Sequence, residues 1–329
     1  MYYIESDSTD PCYNLALEQH AFDEIAAGRD VFMLWRNDNA IIIGKHQNTW
    51  AEINADYVKQ KGIRVVRRLS GGGAVYHDLG NVNFTCITTA SALGAFDFAS
   101  FCRPIIHALA ELGVQAEMNG RNDMIIDGRK FSGNAQYRRR GRVMHHGTIL
   151  YDSNLGVVGE ALVVPRDKIE SKGLKSVRSR VTNVKPYMRD PVPVERFMEV
   201  LRTAMFREFG LTAHVLGDKD KAAVQSLRRD VYETWDWNYG RSPAYNIVKE
   251  RRVEGVGKIS AHINVERGRI RDIAFYGDYF GNADGQALAS ALAGRRPEAS
   301  DLAEALEGIE LGEYFHNLDK RTFIEILTE

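Results

Sequence analysis

Apolar and polar positions alternate or cluster in short runs along this chain, with turn-forming residues between them. Val31 to Trp35 and Ala40 to Gly44 read as two strands joined by the polar turn Arg36-Asn37-Asp38-Asn39. Ile63 to Leu69, Val82 to Thr88, Met124 to Ile126 and Val143 to Leu150 read as further strands. Helical spacing of apolar residues covers Asn14 to Ala27, Phe101 to Leu112, Val194 to Phe209 and Ala222 to Trp235. The mixture lacks the strict alternation of a doubly wound parallel sheet and predicts an α+β fold. Gly240-Arg241-Ser242-Pro243 interrupts the pattern. Beyond it, Gly257 to Val265 and Arg269 to Tyr276 alternate around Glu266-Arg267-Gly268, a hairpin signal, and helical stretches follow at Gly285 to Ala293 and Glu298 to Leu306. The expected division is a domain at 1–239 and a smaller α/β domain at 240–329.

Composition narrows the class. Hydrophobic residues make up 44% and charged residues 26% of 329, the range of a soluble globular protein. Lys and Arg number 43 against 44 Asp and Glu, a net charge of −1, which argues against a general nucleic-acid or membrane-surface binder. Cys12, Cys86 and Cys102 are an odd set without metal-type spacing and fit a reducing compartment. The N-terminus has no signal-peptide pattern, and no apolar run approaches the roughly 20 residues of a membrane span, so a cytoplasmic location is expected.

Three segments bear chemistry. Arg67-Arg68-Leu69-Ser70-Gly71-Gly72-Gly73-Ala74-Val75-Tyr76-His77 follows a strand. Successive glycines let backbone N–H groups approach a ligand, and the arginine pair offers forked donors to phosphate oxygens. A Gly-rich turn with solvated arginines is the blander reading, and the spacing matches neither a phosphate loop nor a dinucleotide fingerprint. The second segment, Asn122 to Gln136, contains a turn at Asp127-Gly128 that presents Lys130 on a strand beside small residues. An ammonium there can neutralise a carboxylate or a phosphate; an exposed strand lysine is the alternative. In the third, His145-His146-Gly147-Thr148, adjacent strand residues point to opposite faces, so only one histidine can serve a given site.

Together these segments resemble the lipoate–protein ligase family. The motifs are Arg67 to Asn81, Asn122-Asp123, Lys130 to Ala135, His145 to Leu150, Ser176 to Asn183 and Trp235 to Pro243, in order over nearly the whole chain. The resemblance implies a mixed-sheet catalytic domain of the biotin/lipoate–protein ligase type with a small C-terminal accessory domain. It implies ATP with Mg²⁺ as cofactors, the metal being held mainly by the ATP phosphates, and lipoate as substrate. Implied partners are apo lipoyl-carrier proteins: the glycine-cleavage H protein and the lipoyl domains of 2-oxoacid dehydrogenases. Carried over by motif, Lys130 is the essential lysine touching lipoate and nucleotide. Arg68, Gly71, Gly72, Gly73, Ala74, Val75 and Tyr76 contact ATP or the adenylate, with Asn81, Asn83 and Asp123 as further nucleotide or metal contacts. His77, Gly133 and His146 lie along lipoate, and Arg178 and Arg180 belong to a loop, Lys172 to Arg180, that orders over the adenylate.

The Leu34-Trp35 and Ile41-Ile42-Ile43 strands are candidate walls of an acyl tunnel. Three rival readings stand beside this one. An octanoyl- or lipoyl-transferase of the same fold works through a cysteine thioester, whereas all three cysteines lie outside the motifs. A biotin ligase would carry a Gly-Arg-Gly-Arg type loop, which is absent. A non-catalytic lipoate- or carrier-binding protein would be expected to lack the lysine.

Overall fold

Short β-branched and aromatic runs dominate the first 150 residues, and they assemble into two sheets. The structure is a computed structural model and describes residues 1–89, 98–120, 122–162, 181–239, 247–266 and 268–328. Strands β1 (Tyr2–Glu5), β2 (Val31–Trp35), β3 (Ala40–Ile43), β4 (Arg64–Arg67), β5 (Val75–His77) and β6 (Asn81–Thr89) come first. They are followed by β7 (Glu117–Asn119), β8 (Asp123–Ile126), β9 (Arg129–Arg139), β10 (Arg142–Leu150) and β11 (Thr212–Ala213). The large sheet has eight strands in the order β11-β1-β2-β6-β10-β9-β8-β7, parallel at β11-β1-β2 and antiparallel elsewhere. A small sheet has the order β4-β3-β5. Both strands flanking Arg36 to Asn39 form as expected, but they enter different sheets. The connection turns through Asn39, whose φ of 43° is left-handed.

Two apolar layers cover the large sheet. On one face, helices Ala99–Glu111 and Val194–Phe209 pack over Phe32, Leu34, Phe84, Phe131 and Ile149. On the other, helix Pro11–His20 packs over Val31, Met33, Trp35, Ile87 and Met144, together with Ile42 and Val66 of the small sheet. Asp10 caps that helix by accepting from Cys12 N at 2.9 Å, and Pro11 stands at its first position, where a missing N–H costs nothing.

The chain forms two compact units, Met1–Ile43 with Thr49–Leu69 and Ala74–Asn238, and Gly44–Asn48 with Ser70–Gly73 and Tyr239–Glu329. In the second, β12 (Ile247–Val253), β13 (Gly257–Glu266) and β14 (Arg269–Gly277) form an antiparallel sheet. Helices Gly285–Leu292, Ala299–Ala305 and Lys320–Thr328 bury Leu288, Leu302 and Phe323 with Ile259, Ile263 and Phe275. Among the described residues, no helix is long and apolar enough to cross a membrane.

Candidate functional site

The helix-covered face carrying Trp35 changes character from row to row across the strands. Val31, Ile87, Met144 and Tyr137 make an apolar row, each beside the next. The next row is Met33, Thr85, His146 and Ala135. Trp35, Asn83 and Thr148 continue into Gly133 and Asp123, because the Thr148 hydroxyl accepts from Gly133 N at 3.2 Å and Gly133 pairs with Asp123. One side of a single sheet therefore runs from hydrocarbon to amide, hydroxyl and charge within three rows.

Lys130 reaches this face through a β-bulge. Met124 pairs with Ser132 and Ile125 with Lys130, so Phe131 is the extra residue. Strict alternation would send Lys130 to the side of Ser132. With the bulge, Phe131 is buried in the opposite core, and the lysine ammonium lies over Gly133, where an added Cβ would sit 2.9 Å from Nζ. Nζ stands 2.6 Å from Asp123 Oδ1, both side chains about a third exposed. The preceding turn uses Asp127 and Gly128 at φ of 49° and 73°, the left-handed pair that suits a two-residue hairpin. On its other edge, Lys130 O accepts from Thr182 N at 2.8 Å. The amide of Asn183 clasps Ser153, its Oδ1 accepting from Ser153 N and its Nδ2 donating to Ser153 O. This holds the end of the Ser176 to Asn183 motif in place.

Glu18, which sequence reasoning missed, organises the middle of the face. Its Oε1 accepts from the Thr85 hydroxyl at 2.7 Å and from His146 Nδ1 at 2.8 Å, and Thr85 accepts from Trp35 Nε1 at 3.0 Å. The available signal was an acidic residue one helical turn from Asn14 and Leu15, on the buried side of the first helix. Arg68 is buried, donates to Ile42 O at 3.1 Å, and has its pKa pulled down to about 10 by burial, partly offset by Glu18. His77 receives a hydrogen bond at Nδ1 from Asn37 (3.1 Å), whose amide is oriented by Asn14. Burial, then the charges of Arg68 and His146, push the His77 pKa down to about 3, so the ring is neutral. Its Nε2 is buried without a protein partner, as are Asn83 Nδ2 and Asn81 Oδ1. The Asn81 amide donates to Asn83 Oδ1 at 3.0 Å, which leaves Asn83 Nδ2 as a buried donor.

The arginine pair divides. Arg67, expected beside Arg68 as a phosphate donor, is taken up by Thr49 Oγ1 (2.7 Å) and the carbonyls of Trp237 and Asn238. Its carbonyl accepts from Trp237 Nε1 at 2.8 Å. The Trp235 to Pro243 motif thus begins as a lock on the end of β4; residues 240–246 lie outside the described residues. Within the second unit, Gly71 lies so close to Tyr279 that a Cβ would meet its carbonyl oxygen at 2.5 Å. Gly72 has a φ of 88° and donates to the same oxygen at 3.4 Å, while a Cβ at Gly73 would meet open space. Ala74 and Val75 are half-buried, and the Tyr76 hydroxyl donates to Asn39 Oδ1 at 3.1 Å. Of the expected tunnel walls, Trp35 and Ile42 face the graded side and Leu34 the opposite core. The Lys172 to Arg180 loop, with Arg178 and Arg180, lies outside the described residues.

All three cysteines are buried. Cys86 and Cys102 sit in the core opposite Lys130, and burial pushes the Cys86 thiol up. The Cys12 thiol donates to Tyr232 O and is pushed up to about 11 by burial. A thiol so placed is a poor nucleophile. Among the described residues, no three His, Cys, Asp or Glu side chains stand together as metal ligands.

Comparison with known proteins agrees with this layout. Residues 10–206 match the family described as Lipoyl protein ligase A/B catalytic domain, and residues 242–327 match Bacterial lipoate protein ligase C-terminus. The chain is 43% identical over 331 residues to lipoate-protein ligase LplJ of Bacillus subtilis (strain 168), covering 99% of this chain and 100% of that protein. Its fold is similar to that of P. falciparum LipL1 in complex with lipoate, with a TM-score of 0.80 at 23% identity, covering 99% of this chain and 98% of that one. A lipoate-protein ligase A bound with ATP is also similar, with a TM-score of 0.62 at 25% identity, covering 73% of this chain and 98% of that one. These matches define a protein-modifying ligase built from a catalytic domain and a C-terminal domain. The chain belongs to the lipoate–protein ligase family.

Proposed function

We propose that this enzyme joins lipoate to AMP and passes the lipoyl group to a lysine of a carrier protein. The observation that carries this reading is the graded sheet face ending at the Lys130–Asp123 pair. An amphipathic acid suits the polar end of such a face, with its carboxylate at the Asn83–Gly133 row and its hydrocarbon leading away past His146 and Ala135. Asn83 Nδ2 and His77 Nε2 are donors without protein partners on this side and suit acceptor oxygens. In the first step a lipoate carboxylate oxygen attacks the α-phosphorus of ATP, and the bond to pyrophosphate breaks. Lys130 neutralises charge on carboxylate and phosphate, and positioning supplies most of the rest. In the second step the neutral amine of the carrier lysine attacks the acyl carbon, loses a proton, and AMP leaves.

Arg68, the Gly71 to Tyr76 stretch, Asn81, Asp123, Arg178 and Arg180 are the proposed nucleotide contacts, and Gly133 and His146 join His77 along lipoate. Mg²⁺ would be held mainly by the ATP phosphates, and Asp123 and the Asn81 amide oxygen would supplement its oxygen ligands. The acceptors are the glycine-cleavage H protein and lipoyl domains of 2-oxoacid dehydrogenases, with residues 1–239 as catalytic domain and 240–329 as accessory domain. The reaction belongs in the cytoplasm, where these carriers and ATP occur together.

Mass spectrometry of purified apo H protein incubated with the enzyme, lipoate and Mg-ATP tests this. Lipoylation is expected only with ATP present. Lys130→Ala should lower both pyrophosphate release and transfer from supplied lipoyl-AMP, on the order of 100-fold or more. Lipoylation without ATP, or an unimpaired Lys130→Ala enzyme, would overturn the reading.

A further inference from the structure

The side of the sheet facing away from Lys130 holds a closed polar network in an apolar core. His145 is fully buried and ringed by Phe84, Phe98 and Phe101 at centroid distances of 5.8, 5.7 and 4.7 Å. Its Nδ1 accepts from Gln136 Nε2 at 3.1 Å, so Nε2 carries the proton and donates to Asn134 Oδ1 at 3.2 Å. The Asn134 amide then donates to Asn122 O (3.1 Å) and Ser132 Oγ (3.2 Å). Asn134 N donates to the same Asn122 oxygen at 3.0 Å, and Asn122 Nδ2 returns a bond to Asn134 O at 2.6 Å. Gly147 leaves the opening for the Asn134 amide, since a Cβ there would sit 2.1 Å from Asn134 Oδ1. The next residue after Asn122 is Asp123, the partner of Lys130.

We propose that His145 and Asn134 are positioning residues for Lys130: His145 orients the Asn134 amide, which adds a side-chain bond to the two bonds that the Asn134 backbone makes with Asn122, and together these fix the backbone that aims the Asp123 carboxyl at the lysine ammonium. Filling the core would need only apolar side chains. Directional bonds between buried amides and a neutral imidazole also set orientation, because each unmatched donor or acceptor there is costly. The Phe131 bulge makes this necessary. The bulge interrupts regular pairing between Lys130 and Ser132, so strand pairing alone does not hold Asp123 and Lys130 in register. The proposal rests on Lys130 as the lysine of the reaction.

Two readouts test it, one independent of turnover. Lys130 is labelled with an amine-modifying reagent and quantified by mass spectrometry, and steady-state lipoyl-AMP formation is measured with each protein. His145→Leu keeps the apolar fill and removes the donor. It should raise the Lys130 labelling rate about fivefold by freeing the ammonium from Asp123. It should also lower kcat on the order of tenfold, with KM for lipoate within about twofold. His145→Gln, whose amide can donate to Asn134, should bring both back to within about threefold of wild type. In an Asp123→Ala background, His145→Leu should add nothing to the labelling rate, because the group it positions is gone. Asn134→Ala repeats every comparison should His145→Leu not fold. Unchanged labelling in folded His145→Leu, or an equal increase with and without Asp123, overturns the positioning role. An active Lys130→Ala enzyme would instead overturn the reading beneath it.

Discussion

His145 and His146 are neighbours on β10, both buried, yet they belong to different systems. His146 Nδ1 meets a carboxyl, Glu18, and shares it with Thr85 on the face that carries Lys130. His145 meets amides and aromatic rings on the reverse. Burial, then the neighbouring His146, pushes the His145 pKa well below its usual value. One face is built around a carboxylate, Glu18, that accepts hydrogen bonds from both Thr85 and His146. The other is built around neutral groups whose whole hydrogen-bonding capacity is spent inside the protein. The lesson is that two adjacent identical residues can enter unlike networks on opposite faces of one sheet, their partners setting the character of each.

The contrast can be broken at Glu18. Glu18→Leu strands two buried donors, on Thr85 and His146, and should lower unfolding free energy by about 2–3 kcal/mol in urea titrations. A loss under about 0.5 kcal/mol would mean that this network contributes little to stability.

Acid sharpens the comparison from the reverse side. A histidine held below its unfolded pKa of 6.5 binds fewer protons folded than unfolded, so its contribution is present above that pH and is lost as pH falls. His77, lowered to about 3, has the same sign. Between pH 6.5 and 5.5 each buried neutral histidine should cost about 1 kcal/mol of stability. His145→Leu should flatten the fall by that amount; an unchanged slope would mean that His145 takes up its proton without unfolding.

The smallest effects are expected at the cysteines. Cys12→Ala, Cys86→Ala and Cys102→Ala should each keep ATP-dependent lipoylation within about twofold and cost about 1 kcal/mol from the small cavity left. A folded variant without activity, together with an acyl-thioester trapped on that cysteine in the parent enzyme, would restore the transferase mechanism.

Several features of the site could be read from the chain because they are local. The Asp127-Gly128 turn is written in two residues that tolerate left-handed backbone, and it puts Lys130 on the return strand. Alternation along β10 separates the two histidines, and the mixed order of helices and strands implies α+β. The ordered motifs lead to the ligase family. Other features rest on contacts between residues far apart in sequence, which no short-range pattern encodes. Glu18 and His146 are 128 positions apart, and Arg67 is drawn from an expected anion role by backbone carbonyls about 170 residues later. The strands on either side of Arg36 to Asn39 do not pair with each other: β2 pairs with β1 and β6, and β3 with β4 and β5, although both bury side chains in the same apolar layer. Even the side on which Lys130 points was decided by strand pairing: one extra residue, Phe131, finds room in the opposite core and reverses the alternation. Turn chemistry and periodicity act over a few residues, whereas bulges and buried hydrogen bonds settle only when packed surfaces meet.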